Sequence, residues 1–165
     1  DEKTIYSKLK ECTDKMTLFF NEIIGKEEII FMEGVEAFLK ELKKKDFLMG
    51  LVTGNLEIIA RAKMKKIGIN DYFKIGGFGS DDKNRTKLIK LAIKRAKDNF
   101  NFIFNNNVFL IGDTPKDIKA GREAGVKTIG VGTGIYSKEQ LKEAGADFSV
   151  ENLKNKKEIF EIINI

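Results

Sequence analysis

Histidine is absent from all 165 residues of the chain, which also has one cysteine, one proline and no tryptophan. Without an imidazole group, neither a Ser-His-Asp triad nor a histidine-ligated zinc site can form. Cys12 has no second cysteine with which to form an intramolecular disulfide, and no Cys spacing typical of a metal site occurs. These absences exclude the catalytic and metal classes that are built on imidazole or on paired thiolates.

Long apolar runs are also missing. No run approaches the roughly 18 residues that a membrane span needs, and the first residues lack a signal-peptide pattern. The net charge is +5, but the lysines are scattered over predicted helix faces and no aromatic–basic recognition module is visible. We therefore predict a cytoplasmic protein with neither a membrane nor a nucleic-acid partner, and its oligomeric state stays open.

The apolar residues that are present recur with two different periods. Residues 2–24 carry them at spacings of three and four, which predicts an amphipathic helix. From residue 33 onward, helical and strand patterns alternate. The predicted helices are 33–45, 56–67, one capped by Ser80–Asp82, 137–144 and a terminal one, and the predicted strands are 47–52, 75–79, 108–112, 127–131 and 147–150, with 99–107 as a loop or ragged helix end. This order predicts an α/β fold, a Rossmann-like parallel sheet with helices on both faces.

The strand 108–112 ends in an acidic loop, where Asp113 is followed by Pro115 and Asp117. Ligands of open α/β sheets bind at the carboxyl ends of the strands. Two carboxylates held there, in a chain without histidine, favour a hard cation such as Mg²⁺. The alternative is purely structural, with Asp117 as a helix N-cap and Asp113 as a turn residue.

A second polar loop, Thr53-Gly54-Asn55, follows the strand 47–52. A hydroxyl, a small residue and the start of a helix form a phosphate-sized anion site. The alternative is a plain strand-to-helix turn with Asn55 as the cap.

A cation for the phosphate is expected near the start of the helix after residues 80–82, where Lys83, Arg85 and Lys87 lie. Each could equally be an exposed charge on the helix surface. We prefer Arg85 because it falls in or just before the first turn. The run Gly130–Gly134 has the wrong glycine spacing for a dinucleotide loop, and we expect it to border the same site.

Together these motifs resemble the haloacid dehalogenase-like hydrolase superfamily, and within it the phosphoglycolate-phosphatase-like branch. The run 110–131 resembles the fourth motif and the next strand, residues 51–55 the second motif, and residues 78–88 the third-motif region. Arg85 stands where the family carries a basic residue, more often lysine. The resemblance covers about residues 30–150 and implies two parts, a helical cap remnant over 1–28 and an α/β core over 29–165.

The resemblance also implies an aspartate nucleophile in an Asp-x-Asp motif on the central first strand, and the chain contains no such motif. In the family's strand order this strand would lie between the strands that end at Val52 and Gly112. We therefore expect a core that lacks its first, central strand, and a chain that is the downstream part of a longer protein.

The implied activity is Mg²⁺-dependent hydrolysis of a small phosphorylated metabolite through an aspartyl-phosphate. Thr53, Arg85, Asp113 and Asp117 would be the catalytic residues, and Thr53, Gly54, Asn55 and Arg85 would bind phosphate. Asp113 and Asp117 would be the metal residues, with Asp113 holding the ion and Asp117 orienting either the metal's ligands or the basic residue. The alternatives are a non-catalytic phosphate-binding or interaction module, a metal-independent dehalogenase, and a receiver-like domain, which the extended match over 108–131 disfavours.

Overall fold

The computed structural model of the chain describes residues 2–26, 28–105 and 107–163, except for the side chains of residues 2, 3, 5, 6 and 21. Asp1 and residues 164–165, at the outer ends of the two predicted parts, lie outside the described residues. The strands in these ranges are β1 (Met49–Thr53), β2 (Phe73–Phe78), β3 (Phe109–Gly112), β4 (Lys127–Val131) and β5 (Phe148–Val150). The helices are α1 (Glu2–Ile23), α2 (Val35–Lys44), α3 (Glu57–Lys66), α4 (Arg85–Phe100), α5 (Pro115–Ala124), α6 (Lys138–Glu143) and α7 (Lys156–Ile162).

The strands form two parallel groups. β1 pairs with β2, and Thr53 at the end of β1 lies opposite Phe78. β4 lies between β3 and β5, with Gly112 opposite Gly130. Within the described ranges, no ladder joins β1 to β3. The predicted α/β fold with parallel strands is confirmed, and its strands are divided into a pair and a triplet.

Helices cover both faces and join the two groups. On one face, Phe38 of α2 packs in a core with Met49 of β1, Ile129 of β4 and Ile159 of α7. Side chains on the opposite face, Val52 of β1 and Leu110 of β3 among them, pack against a second cluster made by α4, α5 and Val126. Alternate strand residues point to opposite faces, which explains why Met49 and Val52 enter different cores. Burying each large apolar side chain contributes about 1.5–3 kcal/mol, so these two cores hold the strand groups together.

Because the strands are divided into a pair and a triplet, β3 lies at an edge and is incompletely covered. Four consecutive residues of the central strand β4, 128–131, are buried. In contrast, Ile111 of β3 is 36% exposed, although β3 is apolar throughout. Continuously apolar strands are typical of parallel sheets buried on both faces. β3 therefore has the sequence of an interior strand and the exposure of an edge strand.

The first helix lies against the core through its carboxyl-terminal end. The Lys66 ammonium group of α3 donates to the carbonyl oxygens of Ile24 and Gly25, the latter at 3.0 Å. The nitrogen of Lys63 lies 5.6 Å from the centre of the Phe20 ring. Four apolar side chains of α1 are at least half exposed, namely Leu9, Met16, Leu18 and Phe19. That α1 is the remnant of a cap stays a prediction.

Two local predictions are corrected by the structure. Asn84, rather than Ser80–Asp82, caps α4, because its side chain accepts from the backbone N–H of Lys87 at 3.2 Å. The helix then runs through Phe100, which agrees with the interpretation of 99–107 as a helix end followed by a loop; residue 106 lies outside the described residues. β2 starts at Phe73 instead of residue 75, because Phe73 already lies opposite Met49 in the ladder.

Candidate active site

The loop between β3 and α5 is fixed by a reciprocal helix cap. Thr114 is the N-cap residue, and its hydroxyl oxygen accepts from the backbone N–H of Asp117 at 3.2 Å. In return, Oδ2 of Asp117 accepts from the backbone N–H and the hydroxyl of Thr114, at 3.2 Å and 2.6 Å. Pro115 fits the first helical position because its missing N–H has no partner there in any helix. Asp117 is therefore the N3 residue of a capping box and not the N-cap.

Asp117 also pairs with the first residue of another helix. Its Oδ1 accepts from Nη1 of Arg85, at the start of α4. The carboxylate is only 14% exposed and the guanidinium 35%, so the pair is largely shielded from water. Arg85 follows β2 and Asp117 follows β3, so this contact places the carboxyl ends of both strand groups on the same side of the protein.

The other two candidate cations do not join this pair. The Lys87 side chain is 68% exposed and pairs with Asp82 at 3.1 Å. The Lys83 side chain is exposed and has neither a hydrogen bond nor an ion pair within the described part of the chain. Of the three, the structure brings Arg85 to the acidic loop.

Asp113 differs from Asp117 in having a free carboxylate. It is exposed at the carboxyl end of β3, and among the described residues no group donates to it or pairs with it. Its side chain lies against the loop after β4, where a Cβ atom built on Gly134 would be 2.5 Å from its Oδ2. The expectation that the run Gly130–Gly134 borders the acidic loop agrees with this contact.

The Thr53 loop lies at the end of β1 and is fastened to the loop after β2. The Thr53 hydroxyl oxygen accepts from the N–H of Asn55 at 3.2 Å. The carbonyl of Asn55 accepts from the N–H of Gly79 at 2.8 Å. Gly54 and Asn55 are exposed. No hydrogen bond within the described ranges joins this loop directly to Asp113 or Asp117, so the predicted residues form two groups.

A further ion pair holds the loop between β2 and α4. Asp81 and Arg95 form a two-point contact at 2.8 and 2.9 Å, and Oδ2 of Asp81 also accepts from the N–H of Phe78 at 2.9 Å. Arg95 donates as well to the carbonyl of Gly76 at 2.7 Å. The Arg95 guanidinium holds the pKa of the Asp81 carboxyl below its usual range, and Asp81 raises the pKa of Arg95. Sequence reasoning missed this pair because its members are fourteen residues apart and no local motif links them.

The carboxylates of Asp113 and Asp117 could supply only part of the ligands of a Mg²⁺ ion. Among the described residues, no cluster of three or more Cys, Asp or Glu side chains could enclose a metal ion. Mg²⁺ usually keeps several waters and takes one or two carboxylates together with substrate phosphates. The free Asp113 carboxylate fits that requirement, whereas both Asp117 oxygens already have partners. Metal binding by either residue stays a prediction.

Comparison with known proteins identifies the family. The model of the Haloacid dehalogenase-like hydrolase family matches residues 2–131, well over half of the chain. The chain belongs to the haloacid dehalogenase-like hydrolases. The predicted superfamily is thereby confirmed. Within the described residues, no helix has the length and apolar character needed to cross a membrane.

Curated relatives of this haloacid dehalogenase-like chain include pyrophosphatases. The pyrophosphatase PpaX of Listeria welshimeri is 26% identical over 145 residues, which are 86% of this chain and 66% of that protein. A Clostridium perfringens protein, provisionally named pyrophosphatase PpaX, is 32% identical over 117 residues, 71% of this chain and 54% of that protein. The chain thus spans between half and two thirds of the length of these relatives.

Solved structures share the fold. A crystal structure described as a predicted phosphatase from Clostridium acetobutylicum has a TM-score of 0.64 and 28% identity, covering 78% of this chain and 59% of that one. A haloacid dehalogenase superfamily hydrolase from Ehrlichia chaffeensis has a TM-score of 0.64 at 20% identity, covering 84% of this chain and 62% of that one. The second likeness is evidence for the fold alone.

Proposed function

We propose that the full-length protein is a Mg²⁺-dependent phosphatase of small phosphorylated compounds. The observation that carries the proposal is the meeting of Arg85 and Asp117 beside the free carboxylate of Asp113, at the carboxyl ends of the strands. The cation can bind a phosphoryl group, and the unpaired carboxylate can bind the metal ion that accompanies it.

Each residue of the site then has a distinct task. Asp113 offers its carboxylate to Mg²⁺, which when bound neutralises and aligns the phosphoryl oxygens. Asp117 holds Arg85 in place, because both of its oxygens are occupied by Arg85 and Thr114. The guanidinium has five N–H donors, and among the described residues only its Nη1 has a partner, so donors remain for phosphate. The role that suits Asp117 best is therefore to position Arg85.

The Thr53 loop would bind the same phosphoryl group from the β1 side. Gly54 and Asn55 are exposed there, next to the start of α3. Helix amino termini attract anions through unpaired N–H groups. In this role the Thr53 hydroxyl and the Gly54 amide donate to phosphoryl oxygens opposite Arg85, and the Asn55 amide joins them by leaving the Thr53 hydroxyl oxygen, to which it donates in the structure.

The nucleophile in this proposal comes on a strand that fits between β1 and β3. Two features of the fold support this proposal: within the described ranges no ladder joins β1 to β3, and Ile111 is exposed on an apolar strand. An aspartate at the end of that strand would lie between the Thr53 loop and Asp113. Its carboxylate would attack phosphorus and displace the leaving oxygen, and water would then cleave the aspartyl-phosphate to release phosphate.

The names of the relatives indicate the first substrate to test. Both PpaX relatives are named as pyrophosphatases, and pyrophosphate is a small compound that offers two phosphoryl groups. We therefore place pyrophosphate beside small phosphomonoesters as candidate substrates.

A second candidate function is a phosphate-binding module without catalysis. It is favoured by one observation, the lack of an Asp-x-Asp motif in the 165 residues. Such a module would bind phosphate through Arg85 and the Thr53 loop and would turn nothing over.

Phosphate release by the purified full-length protein separates the two functions. Pyrophosphate and a panel of phosphomonoesters are incubated with Mg²⁺ and, in parallel, with excess EDTA. The proposal expects release that depends on Mg²⁺ for at least one compound. A folded full-length protein that binds inorganic phosphate but hydrolyses none of them would support the module instead.

A further inference from the structure

We propose that Gly134 is a positioning residue, which fixes where the Asp113 carboxylate lies by leaving room for it. The inference rests on the proposed function, since the position of Asp113 matters if this carboxylate holds Mg²⁺. It concerns the loop from Gly132 to Tyr136. This loop includes neither the proposed phosphate-binding residues nor the pair of Arg85 and Asp117.

The Asp113 side chain occupies the space beside Gly134. A Cβ atom on Gly134 would lie 2.5 Å from Oδ2, 3.2 Å from Cγ and 3.4 Å from Cβ of Asp113. The three nearest atoms to that Cβ position are all in the Asp113 side chain. A methyl group there would therefore meet the carboxylate itself and no other part of the protein so closely.

Within the described part of the chain, no polar partner restrains the Asp113 carboxylate. Asp113 has neither a hydrogen-bond donor nor an ion-pair partner in the described ranges. An exposed side chain without partners samples all its staggered rotamers. In the position that it takes, Oδ2 fills the space that a side chain at residue 134 would need, so glycine there keeps this position open to the carboxylate.

The backbone at Gly134 does not itself require glycine. Its φ is outside the left-handed region, unlike those of Gly125 and Gly145 at 79° and 92°. Gly134 is exposed at the surface. Replacing such a glycine with alanine normally stabilises a protein by about 0.4–1 kcal/mol, because the unfolded chain loses freedom. The reason for glycine here is the space that it leaves for the carboxylate.

Gly134→Ala should therefore affect stability and Mg²⁺ affinity differently. We expect stability equal to or slightly above that of the wild type, since the atom in the way is the far end of a flexible side chain. We also expect Mg²⁺ affinity to fall by about 10- to 100-fold, the usual effect of displacing a group that orients a metal ligand. A glycine with a merely structural role would lower stability and leave Mg²⁺ affinity unchanged.

The test uses the full-length protein without substrate. Isothermal titration with MgCl₂ and urea unfolding compare the wild type, Gly134→Ala and a matched control, Ile135→Ala. Ile135 is adjacent in the loop and 96% exposed, so its truncation should change neither measurement. Equal Mg²⁺ affinity in Gly134→Ala and the wild type would overturn the proposal.

A metal-free measurement keeps the inference testable on its own. The χ1 distribution of Asp113, from NMR scalar couplings, should shift in Gly134→Ala and stay unchanged in Ile135→Ala. An unchanged distribution in Gly134→Ala would refute the positioning role even if the enzyme proved active. A wild type that binds no Mg²⁺ would instead count against the proposed phosphatase, and the rotamer measurement would still decide the role of Gly134.

Discussion

Gly79 is the residue through which the Thr53 loop and the loop after β2 touch, and its replacement by alanine tests that connection. A Cβ atom there would lie 1.9 Å from the Gly54 carbonyl oxygen and 2.6 Å from its carbon. Ordinary contacts begin at 3.4 Å, so the loops would have to separate by about 1.5 Å (3.4 − 1.9). The obstructing atoms are backbone, and no side-chain rotation can relieve the contact.

Two costs follow from this separation. Overpacking of this kind costs about 1–3 kcal/mol. The 2.8 Å hydrogen bond from Gly79 to the Asn55 carbonyl would also be broken, at about 1 kcal/mol. We expect Gly79→Ala to lower the free energy of unfolding by about 2–4 kcal/mol. A loop displaced by more than 1 Å should also lower turnover by about 100-fold.

Urea unfolding and phosphate release by the full-length protein measure the two effects. Gly25→Ala is the matched control, because no heavy atom lies within 4 Å of its Cβ position and its φ is not positive. It should behave as the wild type does. If Gly79→Ala were as stable and as active as Gly25→Ala, the Thr53 loop would not depend on this contact and the reasoning would be refuted.

Three further predictions concern the acidic groups and their partners. Asp81→Asn should lower the free energy of unfolding at pH 7 by about 1–3 kcal/mol, because Arg95 loses a charged hydrogen-bond partner. The folded protein holds the Asp81 pKa below its usual value, so this stabilisation is complete above about pH 4 and is lost as pH falls further. Urea titrations from pH 2.5 to 7 should therefore show the two proteins converging in acid; a constant difference would contradict the cause assigned to the shift. Arg85→Met should reduce Mg²⁺-dependent phosphate release by at least about 100-fold, whereas Lys87→Met, an exposed residue paired with Asp82, should leave it unchanged. Equal losses in both would show that the net charge of α4 matters and the pairing does not. Thr114→Val removes one half of the capping box and should cost about 1 kcal/mol in thermal unfolding, and no change would mean that the box is not stabilising.

Local sequence patterns are sufficient to predict most helices and strands and the approach of Arg85 to the acidic loop after β3. The apolar run before Asp113 and the following Pro115 specify a strand, a tight loop and a helix start within a few residues. The place of Arg85 at a helix start favours it over Lys83 and Lys87, and of the three it is Arg85 that pairs with Asp117. Such features depend on short stretches of chain, which is why the sequence reveals them.

Features that depend on packing between distant segments were not predictable. The pairing of Asp81 with Arg95 joins a loop to the middle of a helix. Asn84 caps α4, although the residues Ser80–Asp82 are equally suitable caps by type. The approach of Gly134 to Asp113 depends on how two loops from neighbouring strands meet. Periodicity describes which face a residue takes, but it contains no information on which loops come together.

The central claim is that Asp113 belongs to a Mg²⁺-dependent phosphatase site. It is tested most directly by the rate of Mg²⁺-dependent phosphate release from the full-length protein carrying Asp113→Asn, an isosteric change that removes one negative charge. The control is Asp98→Asn, an exposed carboxylate near the opposite end of α4. We predict a loss of about 100-fold or more for Asp113→Asn, with Asp98→Asn as active as the wild type. Full activity of Asp113→Asn in Mg²⁺ would contradict the claim.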